Sequence, residues 1–238
     1  MLHLRAVHKT HGQGSQRFSL EIPHLALDAG QQIALVGPSG CGKSTVLDLL
    51  AMVLSPDQCQ QFEFSTMQAA VDIAQLWRKD RQNRLAQIRA RELGYVVQAG
   101  GLLGYLDVRS NIALSRRLLG LSDDGSVERL AQHLGIADQL DKRPHQLSIG
   151  QRQRVSCARA LAHTPRLLLA DEPTAALDPP NARRVMALLL SRAREQGVCC
   201  VVATHDECLI EDSGLSVLRI ASQRDADGGV TATLQATP

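Results

Sequence analysis

One stretch of the chain has the residue types and spacing of a phosphate-binding loop. Residues 37–45 read GPSGCGKST and fit the pattern G-x-x-x-x-G-K-[ST] in full. In such a loop the glycines let successive backbone N–H groups point at one anion, the lysine reaches the terminal phosphates of a nucleotide, and the following hydroxyl ligates Mg²⁺. We therefore expect a nucleotide site at Gly37, Pro38, Ser39, Gly40, Cys41, Gly42, Lys43, Ser44 and Thr45.

The segments on either side of this loop favour that interpretation over a glycine-rich turn that binds nothing. Residues 32–36 form a short apolar run, which predicts a buried strand, and residues 44–54 have the apolar spacing of a helix. The partial positive charge at the N-terminus of this helix favours a phosphate group. Cys41 lies at the same N-terminus, where it is either a small filler of the loop, which we prefer, or a stabilised thiolate.

Further polar residues occur where other predicted strands end. Gln98 closes an apolar run, Asp171 and Glu172 follow a run of leucines, and His205 comes shortly after the apolar residues 198–203. Strands that alternate with helices predict an α/β fold with a largely parallel sheet. Ligands bind such sheets at the carboxyl ends of the strands. We therefore expect these side chains to meet the phosphate-binding loop at one edge of the sheet.

The chemistry of these side chains suggests a role for each. Asp171 is placed to hold Mg²⁺ opposite Ser44, and Glu172 is placed to accept the proton of a water molecule that attacks the γ-phosphate. His205 is expected to contact the γ-phosphate, and Gln98 the metal or the attacking water. The candidate catalytic residues are thus Glu172, His205 and Gln98, and the candidate metal ligands are Ser44, Gln98 and Asp171.

A second glycine motif precedes a predicted helix at residues 152–162. Residues 147–151 read LSIGQ, so a hydroxyl and a glycine stand at another helix N-terminus. Either this segment is an ordinary helix cap, or each of the two motifs completes the other's site in a dimer. The spacing of the motifs does not decide between these alternatives.

The remaining pattern predicts one domain over residues 1–238. Its core would comprise about residues 1–95 and 165–238, and a helical subdomain would comprise about residues 96–164. Within the core we expect an edge strand at residues 2–6, a turn at residues 9–16 and a helix over residues 66–91. Residues 216–234 alternate around a D-G-G turn and predict a hairpin.

Composition limits the classes of function. The net charge of +2 gives no reason to expect nucleic-acid binding. No apolar run approaches the ~20 residues that cross a bilayer, and residues 1–5 lack a signal-peptide core, so we expect a cytosolic protein with reduced cysteines. Residues 78–91 carry six basic side chains, which form either a solvated face, our preferred interpretation, or a surface near anionic lipid.

Taken together, these motifs resemble the ATP-binding subunits of ABC transporters over about residues 2–220. The resemblance implies a P-loop NTPase core with a largely parallel sheet, an N-terminal antiparallel β subdomain, and a helical subdomain that carries the signature motif at residues 147–151. It also implies ATP and Mg²⁺ as cofactors and ATP hydrolysis as the activity. The matching segments are residues 37–45, Gln98, residues 147–151 and 167–172, A-L-D at residues 176–178, and His205.

The same resemblance implies partners. It predicts a head-to-tail dimer in which ATP lies between Lys43 of one chain and Ser148, Gly150 and Gln151 of the other, with Asp178 at the seam. Gln98 would couple this site to membrane-spanning permease subunits on separate chains, at the cytoplasmic face of the inner (plasma) membrane. Residues 93–98, 152–155 and 170–174 are most similar to the lipoprotein-releasing and macrolide-export branch.

Two other functions are alternatives to a transporter subunit. One is a soluble ABC ATPase that acts on ribosomes or DNA; the chain lacks the sustained heptads, zinc pattern and second cassette usual in those groups. The other is a regulator that binds nucleotide without hydrolysis, against which Asp171, Glu172 and His205 argue.

Two positions depart from the pattern of this family. Ile149 replaces the usual glycine of the signature, and a β-branched residue resists positive φ, so we expect an ordinary backbone conformation there. His11 takes the position of the aromatic ring that stacks on adenine. Because imidazole offers a smaller stacking face, we expect weak nucleotide affinity or loose base selectivity.

Overall fold

The computed structural model describes residues 1–98, 100–225 and 227–236. Residues 99, 226, 237 and 238 fall inside the predicted domain ranges but lie outside the described residues. The strands are β1 (Leu2–His11), β2 (Phe18–Leu27), β3 (Gln32–Val36), β4 (Gln61–Ser65), β5 (Ala70–Asp72), β6 (Leu93–Val96), β7 (Leu167–Asp171), β8 (Cys199–Thr204), β9 (Ser216–Arg224) and β10 (Val230–Ala236). The helices are α1 (Lys43–Leu50), α2 (Ile73–Arg78), α3 (Gln82–Glu92), α4 (Val108–Leu118), α5 (Ser126–His133), α6 (Ile149–Leu161), α7 (Pro179–Glu195) and α8 (Glu207–Ser213).

The strands form one continuous sheet in the order β5-β4-β1-β2-β10-β9-β3-β8-β7-β6. Strands β5, β4, β1 and β2 pair with one another in antiparallel fashion, whereas β9, β3, β8, β7 and β6 run parallel. The predicted tail hairpin forms, and it joins the two parts because β10 pairs with β2 and β9 pairs with β3. The predicted α/β fold, with an antiparallel N-terminal part and a largely parallel core, is confirmed.

The central strands are buried on both faces, which explains their continuous apolar sequences. In β3, Ile33 and Leu35 face a core shared with α1, while Ala34 and Val36 face a second core shared with α6 and α7. The same alternation runs through β8, where Cys199 and Cys200 point to opposite cores. All six cysteines are free, and Cys41, Cys157, Cys199 and Cys200 are buried, in agreement with their predicted packing role.

The N-terminal strand differs from the prediction in position and length. It is an inner strand between β4 and β2. Alternation of apolar and polar residues shows that one face of a strand is covered, but it does not show whether the strand lies at the edge of the sheet. Strand β1 also continues through the predicted turn to His11, which pairs with Phe18. Asp57 fixes this extension, since its carboxylate accepts from Lys9 Nζ at 2.6 Å and from the backbone of Thr10 at 2.8 Å. These contacts link residues 47 to 48 positions apart, which a local pattern does not reveal.

The helix predicted over residues 66–91 is wrong in its first part. Residues 70–72 form β5 against β4, and α2 begins only at Ile73, where the Asp72 carboxylate accepts from the Gln75 backbone at 2.8 Å. Asp80 then has a positive φ of 47°, which separates α2 from α3. The predicted helix over residues 44–54 likewise ends early, at Leu50.

The region predicted to be helical contains α4, α5 and α6. These helices, together with α7, pack against the sheet face that carries Ala34 and Val36. Within the described residues, no helix combines the length and the apolar character required to span a bilayer.

Candidate nucleotide-binding site

A cavity of about 450 Å³ lies at the carboxyl edge of the parallel strands. It brings together residues from β1, β2, β7 and the segment after β6 with the loop that follows β3. This convergence is the arrangement that the strand-end pattern predicts. The lining residues are His11, Phe18, Ser39, Gly40, Gly42, Lys43, Ser44, Thr45, Gln98, Asp171 and Glu172.

The loop between β3 and α1 needs glycine for its shape. Gly42 precedes the first helical residue with φ of 99°, a conformation that residues with a Cβ rarely adopt. A Cβ at this position would also lie 2.4 Å from the Phe18 ring. The backbone can thus turn into α1 while Phe18 packs directly beneath it.

Lys43 is buried, with 8% of its surface exposed, and its ammonium group is held by the loop itself. Nζ donates to the carbonyl of Gly37 at 2.9 Å and to that of Pro38 at 3.2 Å. It also lies 3.6 Å from Glu172 Oε1, in an ion pair whose side chains are 9% and 12% exposed. A phosphate oxygen that binds Lys43 therefore competes with Glu172 for the same ammonium group.

Ser44 and Asp171 form the polar pair expected of a metal site. The serine hydroxyl donates to Asp171 Oδ2 at 2.8 Å, and both side chains line the cavity. Among the described residues, no cluster of three or more His, Cys, Asp or Glu side chains forms a metal cage. A hydroxyl, a carboxylate and the amide of Gln98 suit Mg²⁺, which usually keeps several waters and takes further oxygens from phosphates.

Glu172 is held in a strained backbone conformation. Its φ is +45°, which costs a residue other than glycine about 1–3 kcal/mol. The strain is balanced locally, since its N–H donates to Ala203 at 3.0 Å and its carbonyl accepts from Ala175 at 3.2 Å. In this conformation the carboxylate of Glu172 lies against Lys43 and lines the cavity.

His205 reaches the cavity through Glu172. Its Nδ1 lies 2.9 Å from both carboxylate oxygens, and because an ionised carboxylate only accepts, Nδ1 carries the proton. The imidazole is 64% exposed. The sequence predicts His205 near the γ-phosphate, and in this structure its imidazole contacts the Glu172 carboxylate.

Phe18 is a cavity residue that sequence reasoning missed. It pairs with His11 across the β1–β2 hairpin, so an imidazole and a phenyl ring both line the cavity. The alternation of Phe18, Leu20 and Ile22 with polar residues predicts a strand and does not by itself indicate a ligand contact. A usable signal existed, because Phe18 is one of three phenylalanines in the chain and follows His11 closely in sequence.

The second glycine motif lies outside this cavity. Ser148 caps α6, and its hydroxyl accepts from the backbone of Gln151 at 3.2 Å while the Gln151 side chain accepts from the backbone of Ser148 at 2.9 Å. Ile149 is half exposed, and its φ is not positive, as expected. Gly150 packs near Leu177. Within one chain this segment is a complete helix cap with an exposed serine.

Asp178 also lies away from the cavity, at the N-cap of α7. Its carboxylate accepts from Asn181 at 2.7 Å, and this hydrogen bond lowers the pKa of Asp178 below its usual range. The carboxylate is therefore ionised at neutral pH, in a position open to a second chain.

Cys41 is a packed filler of the loop. It is 2% exposed, and burial raises the pKa of its thiol above the usual range in spite of the nearby Lys43. Burial of the thiol therefore argues against the alternative of a thiolate stabilised by the helix N-terminus. Its sulfur fills the space beside Gly37, where a Cβ would lie 2.5 Å from it.

The fold and the loop that follows β3 define the chain as a P-loop nucleotide-binding protein. Residues 20–175 match the sequence profile described as ABC transporter. The chain is 34% identical over 210 residues to the lipoprotein-releasing system ATP-binding protein LolD 2 of Rhodopseudomonas palustris, with 87% of each chain covered. The chain therefore belongs to the ABC transporter family, whose ATP-binding cassettes hydrolyse ATP.

A longer relative matches only in part. The macrolide export ATP-binding/permease protein MacB 1 of Aeromonas hydrophila is 37% identical over 217 residues, which cover 90% of this chain and 32% of that protein. The present chain thus spans about a third of this relative.

Solved structures agree with this assignment. A dimeric bacterial ABC transporter cassette superposes with a TM-score of 0.78 at 28% identity, covering 97% of this chain and 96% of that chain. The same cassette in a post-hydrolysis dimer with ADP and phosphate gives a TM-score of 0.75 at 30% identity, with the same coverage of 97% and 96%. The P-loop core and the predicted ATPase class are confirmed.

Proposed function

We propose that this chain is the ATP-binding and ATP-hydrolysing subunit of an ABC transporter of the lipoprotein-releasing or export type. The observation that carries the proposal is the placement of Lys43, Ser44, Asp171 and Glu172 around one cavity. These side chains come from two distant parts of the chain, and each supplies a group that phosphate transfer requires.

In the proposed reaction, Lys43 and the backbone N–H groups of the loop bind the β- and γ-phosphates. Glu172 accepts a proton from water as the water oxygen attacks the γ-phosphorus, and the bond to the ADP oxygen breaks. His205 orients the Glu172 carboxylate through its Nδ1–H. Release of Glu172 from Lys43 when phosphate binds frees that carboxylate to act as the base.

Mg²⁺ would be held by Ser44 and Asp171, with Gln98 close by. When bound, it neutralises charge on the phosphate oxygens. His11 and Phe18 would contact the base of the nucleotide.

We further propose that two chains bind ATP between them. Ser148, Gly150 and Gln151 form an exposed helix N-terminus, whose partial positive charge favours an anion, and the Asp178 carboxylate is ionised. A head-to-tail dimer would bring these groups to the phosphates held by the other chain. The dimeric cassettes with which this chain superposes support that arrangement.

A groove between α3 and α4 is the proposed contact for a separate permease at the cytoplasmic face of the membrane. It has a volume of about 430 Å³, and the exposed Arg84 and Arg91 line it beside Leu118, which is 77% exposed. Glu92 also lines the groove, and its Oε2 is buried without a hydrogen-bond partner among the described residues. An ordered segment of a partner that offers a donor would satisfy this oxygen. The helices between residues 96 and 164 would then move as a subdomain against the core.

The first test measures ATP turnover by the purified protein and by the Glu172→Gln variant. Loss of the proposed base should reduce kcat by about 10²-fold or more, in the range that general base catalysis contributes. Binding of ATP should remain, because glutamine keeps the shape of the glutamate side chain. Equal turnover by the two proteins would exclude the proposed mechanism.

The second test captures partners with tagged Glu172→Gln protein from detergent-solubilised membranes in the presence of ATP. Stoichiometric recovery of a multispan membrane protein supports the transporter role. Recovery of only ribosomal or nucleic-acid material would favour the soluble alternative.

A further inference from the structure

We propose that Arg159 is a positioning residue that holds the loop at Gly100 and Gly101, and through it the nearby Gln98, in place at the nucleotide cavity. Its guanidinium joins the helix of the second glycine motif, α6, to that loop. The inference rests on the proposed role of Gln98 at the nucleotide site.

The loop at Gly100 and Gly101 has a backbone conformation that favours glycine. Gly100 and Gly101 both have positive φ, at 73° and 57°, and the Gly100 N–H closes a turn onto Val97 at 2.9 Å. A Cβ on Gly101 would lie 2.8 Å from the Val97 side chain. In this conformation both glycine carbonyls are available to α6.

Arg159 donates hydrogen bonds to both of these carbonyls. Its Nη1 donates to Gly101 at 2.8 Å, and its Nη2 donates to Gly100 at 3.2 Å. Among the described residues, no carboxylate forms an ion pair with Arg159, although its side chain is partly buried. Burial lowers the pKa of this guanidinium. Hydrogen bonds from a charged donor are strong in such surroundings. Loss of either partner would therefore leave the other without its hydrogen bond, and this stabilises the position of the two carbonyls against α6.

The same residue is also connected to α4. The Ser115 hydroxyl donates to the Arg159 carbonyl at 3.3 Å, and both residues line an apolar slot of about 210 Å³ between α3 and α4. Leu118 lines this slot and also the groove with Arg84. Arg159 thus lies between the proposed permease contact and the loop that places Gln98. Movement of α4 or α6 would shift Gln98 through these two carbonyls.

The chain supplies a matched control on the same helix. Arg154 is another partly buried arginine of α6, and its Nη1 donates to the carbonyls of Leu134 and Gly135 at 3.4 and 3.3 Å. Burial lowers its pKa as well. Its two acceptors belong to the loop after α5, which does not line the nucleotide cavity.

The experiment compares Arg159→Lys, Arg154→Lys and Gln98→Ala as full-length proteins. Lysine keeps the charge but has a single donor nitrogen, so each arginine variant should fold, with a similar loss of Tm in both. We expect Arg159→Lys to lower kcat about tenfold with KM changed less than about twofold, because a misplaced group of the active site costs up to about 10²-fold. Arg154→Lys should keep kcat within about twofold of the wild type, since distant sites act independently.

Two further readouts separate positioning from general stability. Hydrogen exchange of the backbone at residues 100–103 should become faster in Arg159→Lys and stay unchanged in Arg154→Lys. In the Gln98→Ala background, Arg159→Lys should reduce kcat by less than about twofold more, because two residues that act as one unit are not additive.

The outcomes distinguish a failure of the proposed role of Gln98 from a failure of the inferred role of Arg159. If Gln98→Ala turns over ATP as fast as the wild type, the proposed role of Gln98 fails and the inference fails with it. If Gln98→Ala is slow but Arg159→Lys and Arg154→Lys behave alike in kcat and hydrogen exchange, the inference alone is overturned.

Discussion

The polar side chains of the site contact one another in this structure. Lys43 contacts Glu172, Glu172 contacts His205, and Ser44 contacts Asp171. In the proposed reaction, a phosphate group exchanges these contacts for its own, and this exchange would free Glu172 to act as the base when the substrate arrives. The positive φ of Glu172 is consistent with such a role, since strained backbone conformations cluster at functional sites.

We propose that His11 and Phe18, which both line the cavity, recognise the base of the nucleotide. We expect His11→Tyr to tighten ATP binding by about 2–10-fold, which corresponds to the ~0.5–1.5 kcal/mol of an aromatic pair. Fluorescent-nucleotide competition with ATP and GTP measures both affinity and base selectivity. The wild type should discriminate weakly between the two nucleotides.

His24→Tyr provides the control for this change, because His24 is exposed on the neighbouring strand β2 and does not line the cavity. It should bind ATP as the wild type does. Tight and ATP-exclusive binding by the wild type would show that imidazole, together with the Phe18 ring, is already sufficient.

Among the secondary-structure elements, β6 and α6 make an unusually close contact. A Cβ on Gly94 would lie 2.3 Å from the carbonyl of Ala160 and 3.1 Å from the Leu168 side chain. Backbone therefore packs directly on backbone, beside Arg159 in α6 and shortly before Gln98 in the chain. The close approach fixes the distance between the loop after β6 and α6.

Gly94→Ala should lower the free energy of unfolding by about 1–3 kcal/mol, the usual cost of forcing an extra methyl group into a packed core. Urea denaturation measures the loss. Gly104→Ala is the matched control, because nothing lies within 4 Å of a Cβ at that position and its φ is not positive. A Gly94→Ala protein as stable as the control would contradict the observed packing.

For the whole molecule, the proposed assembly gives a role to both helix N-termini that follow a glycine motif or carry one, those of α1 and α6, which lie at different places on one chain. We expect Glu172→Gln with ATP to form a dimer in light scattering after size exclusion. Ser148→Arg in the same background should remain a monomer, because a bulky cation would occupy the exposed end of α6. A dimer in spite of this substitution would exclude the head-to-tail arrangement.

The control for that prediction removes a helix cap elsewhere. Asp72 caps α2 through the Gln75 backbone, so Asp72→Ala should cost a similar ~0.5–2 kcal/mol of stability. It should nevertheless dimerise with ATP when combined with Glu172→Gln. Loss of the dimer in both variants would indicate a general effect on folding.

The sequence was sufficient to predict the class of fold and most of the cavity. Gln98, Asp171 and Glu172 were placed at one edge because the carboxyl ends of parallel strands coincide, whatever the length of the helices between them. The phosphate-binding loop was equally clear, since its glycines and lysine are close together in the chain. Short apolar runs identified β3, β7 and β8, because strands buried on both faces have no polar alternation.

Contacts between distant residues decided the rest. The inner position of β1 and its extension to His11 depend on β4 and on Asp57, and the place of the tail hairpin depends on β2 and β3. The contact of Lys43 with Glu172, the Phe18 ring beneath Gly42 and the carbonyls on Arg159 also join distant residues. Local patterns record which side chains are apolar and where the backbone turns. They do not record which elements meet, and in this chain the meeting of distant elements places Glu172, the rings of His11 and Phe18, and Arg159.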